Sequence, residues 1–177
     1  ALNKLGVSVV PINTDMRAAE LNYLLEHSEL CLAVVLPGRE AGLRAAAGHT
    51  HRSVAIVAPD CVKVAPASHP PPLAGAPGID TECALLYTSG TTGRPKGCVL
   101  SNDYFLLAGA WYNAIKGLCT LTPGQERLIT PLPMVHMNAM AYSTMAMIMS
   151  GGCIIPLDRF HPATWWRSVR EAQASVM

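Results

Sequence analysis

The sequence predicts an α/β fold in which βαβ units form layered parallel or mixed sheets with flanking helices. Three observations support this. Short apolar, β-branched runs recur along the chain, most of them separated by stretches of helical periodicity. The strand-like runs are near-continuously apolar, as in parallel strands covered on both faces. Finally, half of the 177 residues are apolar and only 14% are charged, so a real core is available and disorder is excluded.

Each element has a local reason. Ala1 to Gly6 reads as the last turn of a helix, with Gly6 as its stop and no initiator methionine before it. Residues 7–12 (VSVVPI) read as a buried strand. Thr14 or Asp15 can cap a helix whose apolar face carries Leu21, Leu24, Leu25 and Ser28. Residues 31–36 (CLAVVL) give a second buried strand, broken by Pro37-Gly38. A helix over 39–47 and a third strand over 52–57 complete a parallel βαβαβ segment, 1–58. Six prolines between Pro59 and Pro77 leave no periodicity, so 59–78 is a connector. A third region, 79–177, opens with a strand over 82–88. A short strand at 98–100 leads into a helix over 104–118 that ends near Gly117. A strand at 127–130, a core helix over 139–150 stopped by Gly151-Gly152, a strand at 153–157 and an amphipathic helix over 162–174 follow. A further strand begins at 174–177. Of the adjacent Trp165 and Trp166, which pack with Phe160 at the start of that helix, one must face away from the other.

Composition excludes several functions. A net charge of +1, with no run of lysines or arginines, argues against nucleic acid or an anionic membrane as partner. The longest apolar stretch, 139–149, is too short to span a bilayer. No signal peptide is legible. Six cysteines at irregular spacing, none in a C-x-x-C pair, predict buried or half-buried free thiols in a reducing cytoplasm. The six histidines are equally dispersed, so no metal cluster is expected.

The chemistry concentrates between Tyr87 and Cys98. Thr88-Ser89-Gly90-Thr91-Thr92-Gly93-Arg94-Pro95-Lys96-Gly97 joins two strands and contains glycines, hydroxyls and one lysine. Glycines let backbone N–H groups turn inward around anionic oxygens. Hydroxyls add donors, and Lys96 adds a point charge on a stiff Pro95 approach. The chemistry implied is polyphosphate binding. A P-loop of the G-x-x-x-x-G-K-[ST] kind does not fit, because Pro95 stands where its second glycine belongs and Gly97 follows the lysine.

The run LLYTSGTTGRPKG resembles the phosphate-loop signature of adenylate-forming enzymes: acyl-CoA synthetases, luciferases and peptide-synthetase adenylation domains. KLGVSVVPIN with AAEL, TPLPMVHMNAM, and the stretch from Gly151 to Met177 resemble the flanking elements of the same family, the last two with a leaning to crotonobetaine/carnitine-type CoA ligases. The resemblance implies an incomplete part of the family's large N-terminal domain, cut at both ends. It implies that a carboxylate attacks the α-phosphorus of ATP to give an acyl-adenylate, and that a thiol, usually coenzyme A, displaces AMP. Thr88, Ser89, Gly90, Thr91, Thr92, Gly93 and Lys96 are then expected to hold the phosphates, with Mg²⁺ sharing their charge through no protein ligand that can be named here. His136 is expected beside a small carboxylic acid, with Met137, Asn138, Ala139 and Met140 as candidate pocket residues. The bland alternatives are a hydrogen-bonded core histidine and helical core packing. The resemblance also implies that this segment alone is inactive, since the adenine, ribose and C-terminal lysine elements are not in it. A non-enzymatic nucleotide-binding module and a phosphotransferase are the competing readings, and a carrier-protein thiol is the alternative acceptor.

Overall fold

The computed structural model describes residues 2–60, 75–88 and 94–177. Most of the 59–78 connector, together with Ser89, Gly90, Thr91, Thr92 and Gly93, therefore lies outside the described residues. Three two-stranded sheets, two parallel and one antiparallel, are flanked by helices, in keeping with the expected α/β class.

The first sheet pairs β1 (Leu32–Val34) with β2 (Ala55–Val57) in parallel, Leu32 opposite Ala55. Helix α1 (Ala18–His27) precedes β1, and α2 (Pro37–Ala47) is the crossover between the strands. The Glu20 carboxylate accepts the Arg17 N–H at 2.9 Å, tying down the start of α1. Helix α2 starts two residues earlier than expected. Pro37 initiates it instead of breaking the chain, because a first-turn residue needs no N–H and its fixed φ suits the helix. Leu25, Ala33, Leu43 and Ala46 form the core of this unit.

Two expectations fail here. Residues 7–12 make a single parallel bridge, Val9 opposite Ala84, rather than a strand of the first sheet. Pro11 has no N–H to give a ladder, and Val7 stays exposed, so pairing does not spread. The βαβαβ segment thus reduces to one βαβ unit. Nor is β1 buried on both faces: Ala33 is covered, while Leu32 and Val34 are exposed.

The second sheet is an antiparallel hairpin of β3 (Glu82–Thr88) and β4 (Lys96–Ser101). Ser101 caps α3 (Asn102–Ala114), its hydroxyl accepting the Tyr104 N–H at 3.3 Å. Helix α3 stops short of the expected 118. Ile115 is extended, and a separate 3₁₀ turn, Gly117–Cys119, starts at Gly117 with φ +74°.

The third sheet pairs β5 (Arg127–Thr130) with β6 (Cys153–Pro156) in parallel, and Val176 bridges Leu128 as a further strand begins. Between them a π-helical segment, Asn138–Ser143, continues into α4 (Thr144–Ser150), which ends on Gly151 at φ +71°. Helices α3 and α4 meet at Gly109, where an added Cβ would lie 2.6 Å from Met149 Sδ and 2.7 Å from Met145 Cβ. Cys83, Ala84, Leu86, Phe105, Ala108 and Ala141 form the core joining this helix pair to the hairpin.

The last helix, α5 (Trp165–Glu171), follows a 3₁₀ turn at Pro162–Thr164 and is shorter than expected. Trp165 packs on Phe160, ring centroids 5.3 Å apart, and Trp166 faces solvent. The cysteine expectation is also corrected. Cys83 is buried and Cys153 half-buried, but Cys31, Cys98 and Cys119 are exposed; Cys61 lies outside the described residues. Cys31 sits at the edge of the short β1, Cys98 on the hairpin strand β4 and Cys119 in the 3₁₀ turn after α3, and none of the three is covered. Among the described residues no helix is long and apolar enough to cross a membrane, and no group of His, Cys, Asp or Glu could hold a metal ion.

Candidate functional site

The hairpin places the ends of the glycine- and hydroxyl-rich run side by side. Thr88 and Lys96 are its last cross-strand pair. Gly97 sits opposite Tyr87, and a Cβ there would come within 3.0 Å of Leu85 Cδ1 and 3.4 Å of Tyr87 Cζ, so a small residue lets the two strands close at the root. Thr88 and Lys96 are both exposed, and the Lys96 ammonium forms no ion pair among the described residues. A hydroxyl and a cation side by side at the two ends of a glycine- and hydroxyl-rich run can bind anionic oxygens.

Helix α1 touches both Tyr87 and Arg94, a feature the sequence reading missed. His27 Nδ1 lies 2.7 Å from the Tyr87 hydroxyl, and the two rings meet edge-on at 5.7 Å. Two residues before β4, the Arg94 guanidinium sits 5.8 Å from the Tyr23 ring centroid. Tyr23 and His27 are one helical turn apart, their rings 5.2 Å from each other. Burial, and then Tyr23 nearby, push the Tyr87 hydroxyl above its ordinary range, which keeps it a donor. The only sequence signal was the i, i+4 spacing of two aromatic rings on a helix with a leucine core face.

His136 follows β5 through a tight turn. Buried Thr130 accepts the Leu132 N–H at 3.2 Å, and the His136 N–H bonds the Pro133 carbonyl at 3.0 Å. Its imidazole is exposed and makes no hydrogen bond among the described residues, so it is not a satisfied core histidine. No hydrogen bond joins it directly to the hairpin in those residues.

Beyond His136 an open groove of about 730 Å³ runs between α3 and the π-helical segment. Tyr104, Leu107, Trp111, Met137, Asn138 and Tyr142 are among its walls. Trp111 stands edge-on to Tyr142 at 5.6 Å. A hydrogen bond with Tyr142 raises the pKa of Tyr104, and burial raises that of Tyr112, so these rings stay uncharged. Among the described residues no Asp, Glu, Lys, Arg or His lines the groove. The four expected pocket residues divide: Met137 and Asn138 reach it, Ala139 is fully buried, and Met140 faces a second cavity with Phe105 and Met145. The π-helical turn causes this split by rotating successive side chains away from the 3.6-residue stripe.

A family model described as AMP-binding enzyme matches residues 1–177. The chain is 33% identical over 172 residues to sulfoacetate–CoA ligase of Cupriavidus necator, covering 92% of this chain and 32% of the relative. It is 28% identical over 188 residues to crotonobetaine/carnitine–CoA ligase of Escherichia coli, covering 99% and 36%. Among solved structures it is similar to ATP-bound MatB from Rhodopseudomonas palustris, with a TM-score of 0.70, 26% identity, and coverage of 92% of this chain and 32% of that one. It is also similar to the inhibitor-bound N-terminal domain of FACL13 from Mycobacterium tuberculosis, with a TM-score of 0.75, 26% identity, and coverage of 97% and 43%. The chain spans about a third of the length of the curated relatives it matches.

Proposed function

The chain belongs to the AMP-binding enzyme family, and from that membership we propose that the protein carrying it ligates a carboxylic acid to a thiol at the expense of ATP. In the first half-reaction the carboxylate oxygen attacks the α-phosphorus, an acyl-adenylate forms and pyrophosphate leaves. In the second, a thiol attacks the acyl carbon and AMP leaves. Coenzyme A is the acceptor favoured by the named relatives, which are CoA ligases; a carrier-protein thiol is the alternative.

Thr88, Ser89, Gly90, Thr91, Thr92, Gly93 and Lys96 are assigned to the β- and γ-phosphates. The one observation that carries this is the uncovered Lys96 cation paired with Thr88 at the mouth of the turn. Their contribution is electrostatic and positional: the leaving pyrophosphate is neutralised and the line of attack fixed. The hairpin offers hydroxyls and amides but no carboxylate cluster, which suits Mg²⁺ held mainly by the phosphates themselves. His136 is assigned beside the acid. Its exposed, unbonded imidazole can donate to a carboxylate or to a phosphate oxygen.

The groove next to His136 is assigned to the body of the acid. Its aromatic and aliphatic walls favour an apolar body. They offer no cation for a second anionic group, such as the sulfonate of sulfoacetate, the acid in the name of the Cupriavidus necator relative. Asn138 Oδ1 accepts from Ser143 at 3.1 Å, which leaves the Asn138 amide N–H groups for a polar end of the ligand. The regions 1–58, 59–78 and 79–177 are taken as parts of one larger N-terminal domain, and the 177 residues alone are expected to form no acyl-adenylate. Cytoplasmic residence is assigned on the irregular cysteine spacing, which lacks any C-x-x-C pair.

The test is acid-dependent exchange of pyrophosphate into ATP by the full-length protein across a panel of acids. Exchange with an aryl or medium-chain acid supports the reading. Transfer of the γ-phosphate with no exchange would replace it with a phosphotransferase.

A further inference from the structure

A turn rich in glycine and hydroxyls has many conformations, and only a few of them aim its amides at one point. Within the hairpin, its stems are held by a two-stranded ladder whose last rung is Thr88 with Lys96. A two-stranded ladder by itself is a weak mount. Something else must hold the root if the turn is to bind phosphates without a large ordering cost.

Helix α1 meets that need from outside the hairpin. Its Tyr23 and His27 stack on one face, and between them they reach Tyr87, just before the glycine-rich run, through a 2.7 Å hydrogen bond, and Arg94, near its far end, through the guanidinium over the Tyr23 ring. The helix itself is fixed. Leu24 and Leu25 are fully buried, and Leu25 packs with Ala33, Leu43 and Ala46 in the core of the βαβ unit. The imidazole and the phenol are in direct hydrogen-bond contact. Arg94, held on an aromatic face, leaves Lys96 as the cation that meets the phosphates.

We propose that Tyr23, His27 and Tyr87 are positioning residues for ATP: α1 ties Tyr87 and Arg94 to the βαβ core and so fixes the two ends from which the phosphate-binding run departs. The positioning role rests on the phosphate-binding reading above, whereas the tie itself, a clamp on those two residues, rests only on the contacts.

Two measurements on the full-length protein separate these. Amide hydrogen exchange without nucleotide reads the clamp directly. His27→Ala should speed exchange at the strand ends, Thr88 and Lys96, by about 3–10-fold, the loss of one hydrogen bond, while α3 and β5 stay unchanged. Unaltered exchange at those amides overturns the clamp whatever the enzyme does. Steady-state adenylation then reads the role. His27→Ala and Tyr87→Phe should each raise the KM for ATP about 3–10-fold and leave the KM for the acid alone. The double variant should be no worse than the weaker single, because both remove one contact. His27→Asn, which keeps a polar atom near the Nδ1 position, should recover most of the loss, and Tyr23→Phe should be milder than Tyr23→Leu. An ATP KM that does not move, equal rises for ATP and acid, or multiplicative singles overturns the positioning role. Faster amide exchange in a protein whose wild type shows no acid-dependent pyrophosphate exchange leaves the clamp standing, rejects its ATP role and rejects the ligase reading with it.

Discussion

The hairpin tip and the aromatic groove are two halves of one proposed site, and they are built in opposite ways. The tip is polar and contiguous in sequence, with every group inside residues 88–97 and both Thr88 and Lys96 exposed. The groove is apolar and assembled from α3 and the π-helical segment, with about thirty residues between Tyr112 and Tyr142. A polyphosphate is the same in every reaction of this kind, so a fixed local motif can bind it. An acid side chain differs from enzyme to enzyme, and a seam between two helices can be reshaped one residue at a time without disturbing the turn. The difference predicts that the two regions fail separately.

The largest expected effect is at the tip. Lys96→Ala in the full-length protein should lower kcat/KM for ATP by about 10–100-fold, since a charge-assisted contact contributes ~1.5–3 kcal/mol, with little change in the KM for the acid. Unchanged adenylation kinetics would remove Lys96 from the site. The mirror image belongs to the groove. Trp111→Ala should raise the KM for an apolar acid about 3–10-fold, one aromatic contact being worth ~0.5–1.5 kcal/mol, and leave ATP untouched. If Trp111→Ala weakened ATP instead, the separation of the two regions would be wrong.

Two smaller effects concern the frame. Gly109→Val should cost about 1–3 kcal/mol in denaturant unfolding, because its side chain would intrude on Met145 and Met149 where α3 and α4 touch. The groove should widen while the tip stays intact, so acid binding should suffer before ATP binding. The last prediction is a control away from both regions. The Glu126 carboxylate accepts from the Ser175 hydroxyl and the Thr122 N–H, and these bonds hold its pKa below the usual range. A depressed folded pKa contributes stability above the unfolded value, and that contribution is lost as pH falls through the folded one. Acid titration of Glu126→Gln against wild type should therefore narrow the stability difference as pH drops, with neither KM altered. A difference that widened on acidification would reverse the sign.

Legibility in the sequence tracked how local each feature is. The helix stop at Gly151 lay where the residue types placed it. A strand also flanks the glycine-rich run on each side, although the second starts at Lys96 and not at Cys98. Failures came where a neighbour decided the outcome. Residues 7–12 have the composition of a strand, yet they pair only once, and with β3 across the connector rather than with β1 or β2. Ala139 and Met140 share a stretch with Met137 and Asn138, and only the π-helical turn shows which of them face the groove. Tyr23 and His27 looked like the ordinary polar side of an amphipathic helix, because nothing in 18–27 reveals what lies 60 residues on.

By itself the sequence determined the chemistry of the turn, since glycine freedom, hydroxyl donors and one ammonium act within ten consecutive residues. Tertiary structure alone decided what meets Tyr87 and Arg94 and what lines the aromatic groove. Both depend on side chains from distant segments meeting in space, and the packing of α1, α3 and α4, rather than any local preference, sets which ones meet.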